Sequence, residues 1–255
     1  MGKIGEFIHC TISSKQKVEH YQQLIRDAEW DVLKTKIPRN CNFIDVGCGA
    51  GYTLKKASSD LNCSGIGLDP SPGEHGVGRY AEDDTVPFQI LTGTAEKIPF
   101  ENKAFEMVFS SHVLEHVNNE IDSLKEMKRV LKDDGLLIIG MPTAMMAWIS
   151  LFSNYVFLTH IKIYNVFRHF FSKNTGATFI SIFLPGSHSY PRAKFITYDL
   201  NHYRIKKWKK TVSKEFEIIE VLKPCLYPFP DYPQWFKLRK SSLGSSSVFF
   251  VCKKK

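Results

Sequence analysis

The stretch Phe43-Ile44-Asp45-Val46-Gly47-Cys48-Gly49-Ala50-Gly51-Tyr52 runs an apolar strand straight into three alternating glycines, the pattern of a nucleotide-binding turn. Glycine suits such a turn because the chain must reverse sharply while its backbone N–H groups come close to a ligand, which a Cβ would block. A second short strand, Gly65-Ile66-Gly67-Leu68, ends in Asp69, at roughly the twenty-residue offset where a strand-end carboxylate meets ribose hydroxyls. Turn and carboxylate together are far more specific than either alone. The spacing also separates two cofactor classes. Dinucleotide sites carry G-x-G-x-x-G, whose third glycine lets a helix pack under a pyrophosphate, whereas here Tyr52 takes the place of that glycine. The turn therefore offers no seat for a pyrophosphate, and a nicotinamide-dependent oxidoreductase fits poorly.

The segment Asp45-Val46-Gly47-Cys48-Gly49-Ala50-Gly51 resembles the first motif of the class I S-adenosylmethionine-dependent methyltransferases, with Asp69 at the place of their ribose-binding acid. Thr94-Ala95-Glu96-Lys97-Ile98-Pro99-Phe100 is similar to the family's adenine-side loop, and Ala104-Phe105-Glu106-Met107-Val108-Phe109 to its fourth strand. Ser110-Ser111-His112-Val113-Leu114-Glu115-His116-Val117 matches the post-strand segment of the small-molecule branch called type 11, and Leu131-Lys132-Asp133-Asp134-Gly135-Leu136-Leu137-Ile138-Ile139-Gly140 the turn and fifth strand. The resemblance covers residues 40–142. It implies an α/β fold: a Rossmann-like, seven-stranded, mostly parallel sheet with helices on both faces and an antiparallel last strand. It also implies S-adenosylmethionine as cofactor. On this resemblance Gly47, Cys48, Gly49 and Gly51 form the turn beside the methionine and ribose parts and Asp45 orients it. Asp69 accepts from the ribose hydroxyls, Thr94, Ala95 and Glu96 line the adenine, and Ser110 and Ser111 lie near the methionine end.

With 255 residues, 43% of them apolar, the chain is long enough for one sizeable α/β domain with an insertion. Its 34 basic and 26 acidic residues give a net charge of +8, which would favour anionic partners such as nucleic acid or lipid headgroups, or serve solubility alone. Cys10, Cys41, Cys48, Cys63, Cys225 and Cys252 form no C-x-x-C pair, so free thiols in a reducing, cytoplasmic setting are expected and a zinc site or other metal centre is not. No basic-then-apolar leader with a cleavage site is visible, which argues against secretion.

Residues 15–37 read as cap helices, 41–140 as the cofactor-binding core, 141–197 as an aromatic-rich insertion and 198–255 as a closing helix and strands. In the cap, Val18, Tyr21, Leu24, Ile25, Ala28 and Val32 recur at helical spacing. Leu114, Val117, Ile121, Leu124, Val130 and Leu131 predict one helix over 113–131 with its first turn at the cofactor. A helix over 204–212 should lead into a strand at 216–222, with a last strand at 247–252. The insertion has no Asp, Glu, Lys or Arg from 135 to 161 and carries Trp148, Phe152, Tyr155 and Phe157. A membrane span, a substrate-covering lid and an interfacial helix contacting anionic membrane through 144–173 all compete for it. Pro185-Gly186-Ser187-His188-Ser189-Tyr190-Pro191-Arg192 reads as a loop, and Lys206, Lys207, Lys209 and Lys210 as a basic helix face.

Methylation of a hydroxyl needs a general base. His112 and His116 are the candidates because both fall just past the carboxyl end of a central strand, where open α/β sheets gather their ligands. His20, Tyr21, His188 and His202 could also reach the cleft. The segment after the fourth strand lacks the Asn/Asp-Pro-Pro-Tyr box of amino-directed DNA and glutamine methyltransferases. The expected activity is methyl transfer from S-adenosylmethionine to oxygen of a small or lipid-linked acceptor. The alternatives are an RNA or protein methyltransferase and a non-catalytic binding protein on the same fold.

Overall fold

A computed structural model describes residues 15–78, 80, 87–153, 155, 186–189, 193–227 and 244–255. Helix α1 (Lys15–Leu33) precedes β1 (Asn42–Val46), α2 (Tyr52–Leu61), β2 (Ser64–Asp69), β3 (Gln89–Thr92) and β4 (Phe105–Ser111). Then come α3 (Glu120–Val130), β5 (Leu131–Pro142), α4 (Ala144–Ser153), α5 (Ile196–His202), α6 (Ile205–Val212), β6 (Phe216–Leu222) and β7 (Ser247–Lys254). The sheet has seven strands in the order β3-β2-β1-β4-β5-β7-β6. Strands β1 to β5 are parallel and β7 runs antiparallel between β5 and β6, which is the expected fold class.

Alternation explains why helices cover both faces. Successive strand residues point to opposite sides, so Ile44, Val108, Ile139 and Phe250 face α3 and α6, packing with Leu124, Met127, Trp208 and Val212. Phe43, Phe109, Ile138 and Phe249 face the other way, against Trp30 and Leu33 of α1 and Leu54 and Leu61 of α2. Strands apolar on both sides are what a covered parallel sheet requires. The reversal in strand order lies between β1 and β4, so their carboxyl ends open the crevice in which such sheets bind ligands.

One element differs from the sequence reading. The helix predicted over 113–131 begins only at Glu120. Asn119 caps it, its side chain accepting from the N–H groups of Ile121 and Asp122 at 3.0 and 3.3 Å, a cap worth about 1 kcal/mol. Residues 113–118 form turns instead, and Leu114 and Val117 are buried without being helical. The cap is one helix whose buried face carries Tyr21, Ile25, Glu29, Trp30 and Leu33, while Leu24 is exposed. No described helix is long and apolar enough to cross a membrane. Most of the expected insertion, including Phe157 and residues 156–173, lies outside the described residues, as do Pro185, Tyr190, Pro191 and Arg192 of the loop.

Candidate active site

Positive φ angles at Gly47 (76°), Gly49 (54°) and Gly51 (88°) bend the chain between β1 and α2. Neighbouring protein makes glycine necessary here. A Cβ at Gly47 would lie 2.1 Å from Val113 Cγ2, and one at Gly49 would lie 2.5 Å from the backbone oxygen of His75. The turn's N–H groups are largely spent internally. Gly47 donates to Leu68 O at 2.6 Å, Gly49 to Asp69 Oδ2 at 2.8 Å and Gly51 to Cys48 O at 3.0 Å. Few donors remain to cradle a phosphate, which agrees with a cofactor that lacks one.

Tyr52, at the place of the absent third glycine, has a structural task. Its hydroxyl donates to Asp27 Oδ1 of α1 at 2.6 Å, Lys56 pairs with the same carboxylate at 3.0 Å, and Trp30 Nε1 donates to Asp60 Oδ2 at 2.7 Å. These contacts dock the cap across the turn. Deeper in, Glu29 is buried; it accepts from Tyr227 Oη and Ser247 Oγ at 2.9 and 2.5 Å and pairs with Arg26 at 2.7 Å. Burial alone would raise its carboxyl, but Arg26 and His112 hold it below the usual value.

Cap, turn, the 75–77 loop and the residues after β4 enclose a cleft of about 650 Å³, within the usual range for small-molecule and cofactor sites. Asp45, Gly47, Cys48, Gly49, Asp69, Ser111, His112 and His116 line it, joined by Arg26, Glu29, His75, His188 and Tyr227. Gly51, Thr94, Ala95, Glu96 and Ser110 are not among its lining residues. Glu96 instead accepts from the N–H of Asn118 at 2.9 Å, and Ala95 and Ser110 are buried. Asp69 is buried at the end of β2, and besides Gly49 it accepts from the Ser71 N–H at 2.9 Å. It therefore braces the turn as well as facing the cleft.

Burial pushes the Asp45 carboxyl up to about 8, with nearby Asp69 adding to the shift and Arg26 opposing it. The folded chain thus keeps a proton that the unfolded chain releases near 3.8. For this group stability is greatest below that value and declines as pH rises through about 8. Asp45→Asn should accordingly gain roughly 2 kcal/mol or more over the native chain in urea unfolding at pH 8, the gain shrinking toward pH 4. An equal effect at both pH values would contradict this.

At the end of β4, His112 adopts a left-handed conformation (φ 58°), with its N–H on Gly140 O at 2.9 Å. A non-glycine residue there is uncommon and tends to mark a functional site. His188 reaches the same place from far along the chain. Buried Asp199 of α5 accepts from Ser187 Oγ at 2.5 Å and from the His188 N–H at 2.8 Å, and Ser189 Oγ bonds Tyr203 Oη at 2.5 Å. Burial holds the His188 ring well below the usual imidazole value, against the pull of Glu115. His112, Glu115 and His188 lie within reach of one another, although no metal cluster is expected from the sequence. The local signal was the spacing of His112, Glu115 and His116; the third partner, 72 residues or more away, had none. His20 and His202 do not line the cleft, and His202 bonds Glu120 at 3.0 Å instead.

Residues 44–139 match the family described as "Methyltransferase domain", type 11. Those residues form a methyltransferase domain. Its relatives include a tRNA U34 carboxymethyltransferase of Saccharophagus degradans, 32% identical over 123 residues, covering 44% of this chain and 36% of that protein. Another is the ajmaline N-methyltransferase of Rauvolfia serpentina, 33% identical over 117 residues, covering 44% of this chain and 39% of that protein. The chain thus spans little more than a third of the length of these curated relatives. A solved S-adenosylmethionine-dependent methyltransferase from Thermotoga maritima superposes with a TM-score of 0.56 at 18% identity, covering 99% of this chain and 96% of that one; at that identity it shows the fold. The cofactor of the methyltransferase domain is S-adenosylmethionine, and the cleft suits it. The turn has little left to offer a phosphate, and the strand-end carboxylate of Asp69 lines the cleft beside it.

Proposed function

We propose that the methyltransferase transfers a methyl group to an oxygen of an acceptor entering the cleft beside His112 and His116. The observation that supports this reading is the gathering of imidazoles, with Glu115, on the same cleft as the glycine turn and Asp69. S-adenosylmethionine supplies a methyl group already activated on a sulfonium sulfur, so the chain has chiefly to hold the acceptor in line and accept its proton. Asp45, Gly47, Cys48, Gly49, Gly51 and Asp69 would seat the cofactor, with Ser111 toward the methionine end; Thr94, Ala95, Glu96 and Ser110 would act from behind the wall. His116, whose side chain is 41% exposed, is the base best open to an incoming acceptor.

A small or lipid-linked acceptor is the reading we favour, because α4 turns Trp148 and Phe152 outward and Tyr155 follows them, all exposed. An RNA acceptor is supported by the net charge of +8 and by a relative named for tRNA. Methyl transfer from labelled cofactor to separate pools of small hydroxylated compounds, polyprenyl-linked compounds and RNA discriminates between them. His116→Ala should slow transfer to the accepted pool by about 10²–10⁴-fold, the range for a lost general base, at unchanged affinity for S-adenosylhomocysteine. An undiminished rate would remove His116 from the chemistry.

A further inference from the structure

Glu115 lies behind the cleft wall and is not among its lining residues. Its side chain is fully buried, and neither carboxylate oxygen has a hydrogen-bond partner. An ionised carboxylate so placed is costly unless a cation balances it. What surrounds it is imidazole. His112 Nδ1 lies 3.2 Å from Oε1, His188 Nε2 3.9 Å and His116 Nε2 4.0 Å. One donor atom each from His112, Glu115 and His188 falls within 4.8 Å of the others. Two imidazole nitrogens and one carboxylate oxygen are the donor set of zinc and related transition ions, bound at about 2.0–2.2 Å. Tetrahedral ligands at that radius stand roughly 3.3–3.6 Å apart, so small side-chain shifts would close the site.

Both long-range placements look prepared for this. The strained backbone at His112 aims one ligand from the end of β4, and the hydrogen bonds from Ser187 and His188 to Asp199 bring in the other. We propose that His112, Glu115 and His188 form a divalent transition-metal site at the acceptor end of the cleft, with an open position toward the acceptor oxygen. The proposal rests on the oxygen-directed reading above and deepens it, making His112 a ligand and leaving His116 as the base. A hydroxyl bound to the ion gives its proton to His116 or solvent. The new oxygen–carbon bond forms as the carbon–sulfur bond breaks, and the sulfur leaves as a neutral thioether.

The test uses the full chain, stripped with a chelator and titrated calorimetrically with Zn²⁺ and Mg²⁺, with the visible spectrum of the Co²⁺ form as a second readout. One Zn²⁺ per chain should bind, Mg²⁺ far more weakly, and Co²⁺ should give the intense bands of a low-coordinate N/O site. Glu115→Gln and His188→Gln should each weaken Zn²⁺ binding beyond the roughly 10–100-fold loss typical of outer-shell partners, while His188→Gln keeps its S-adenosylhomocysteine affinity and melting temperature. Absence of stoichiometric Zn²⁺ uptake by the native chain, or native-like uptake by both variants, overturns the site. If S-adenosylhomocysteine still binds in that case, the methyltransferase reading stands and only the metal is lost; if it fails to bind the native chain, both fall.

Discussion

Gly49→Ala is expected to abolish cofactor binding. The residue sits at φ 54°, where a Cβ costs of order 1 kcal/mol in backbone strain. The added carbon would also lie 2.5 Å from a backbone oxygen, that of His75, which has no side-chain freedom to yield. The 73–77 loop must therefore move. That loop is tied to the turn by the Gly73 N–H on Gly49 O at 3.3 Å and supplies His75, Gly76 and Val77 to the cleft wall. Strain and displacement together should lower stability by about 2–4 kcal/mol and weaken S-adenosylhomocysteine binding beyond 100-fold. Calorimetric titration and a thermal melt measure both. Affinity within threefold of the native chain would show that the turn does not shape the site.

Asp69→Ala should damage fold and function together. Its carboxylate accepts from two backbone N–H groups, those of Gly49 and Ser71 at 2.8 and 2.9 Å, and it is 6% exposed. Alanine would leave both donors unanswered, at about 1–3 kcal/mol for a buried one. It would also remove the acceptor proposed for the ribose hydroxyls, weakening the cofactor by about 1.5–3 kcal/mol. Asp69→Asn separates the two roles, since an amide oxygen can still brace one N–H while the charge is gone. An alanine variant that melts early but binds the cofactor normally would make Asp69 a brace only.

The sheet was legible because its two signals are local: apolar strands alternating between two covered faces, and glycines at a turn whose φ values exclude most other residues. The antiparallel β7 came from resemblance and agrees with the register of Leu137 with Cys252 and Ile218 with Cys252. The start of α3 was misjudged because Leu114 and Val117 keep helical spacing while being buried ahead of the helix, in the core that α3 itself packs against; Asn119, a good capping residue, marked the true start. The reason for the glycines was only half legible. Sequence suggested room for a ligand, whereas the nearest obstacles are Val113 and the His75 carbonyl.

The buried charges could not be read at all. Glu29 is satisfied by Tyr227 and Ser247, 198 and 218 residues away, and Glu115 is met by His188, which is held in place by a helix from yet another part of the chain. No periodicity reports such pairings. They arise where the carboxyl ends of β1 and β4, the cap and the segment before α5 converge.

Calorimetric titration of the purified chain with S-adenosylhomocysteine, with NAD in parallel, tests the central claim most directly. One site per chain with micromolar affinity for S-adenosylhomocysteine, and no heat from NAD, is the expected result. Binding of NAD, or of neither compound, would contradict it.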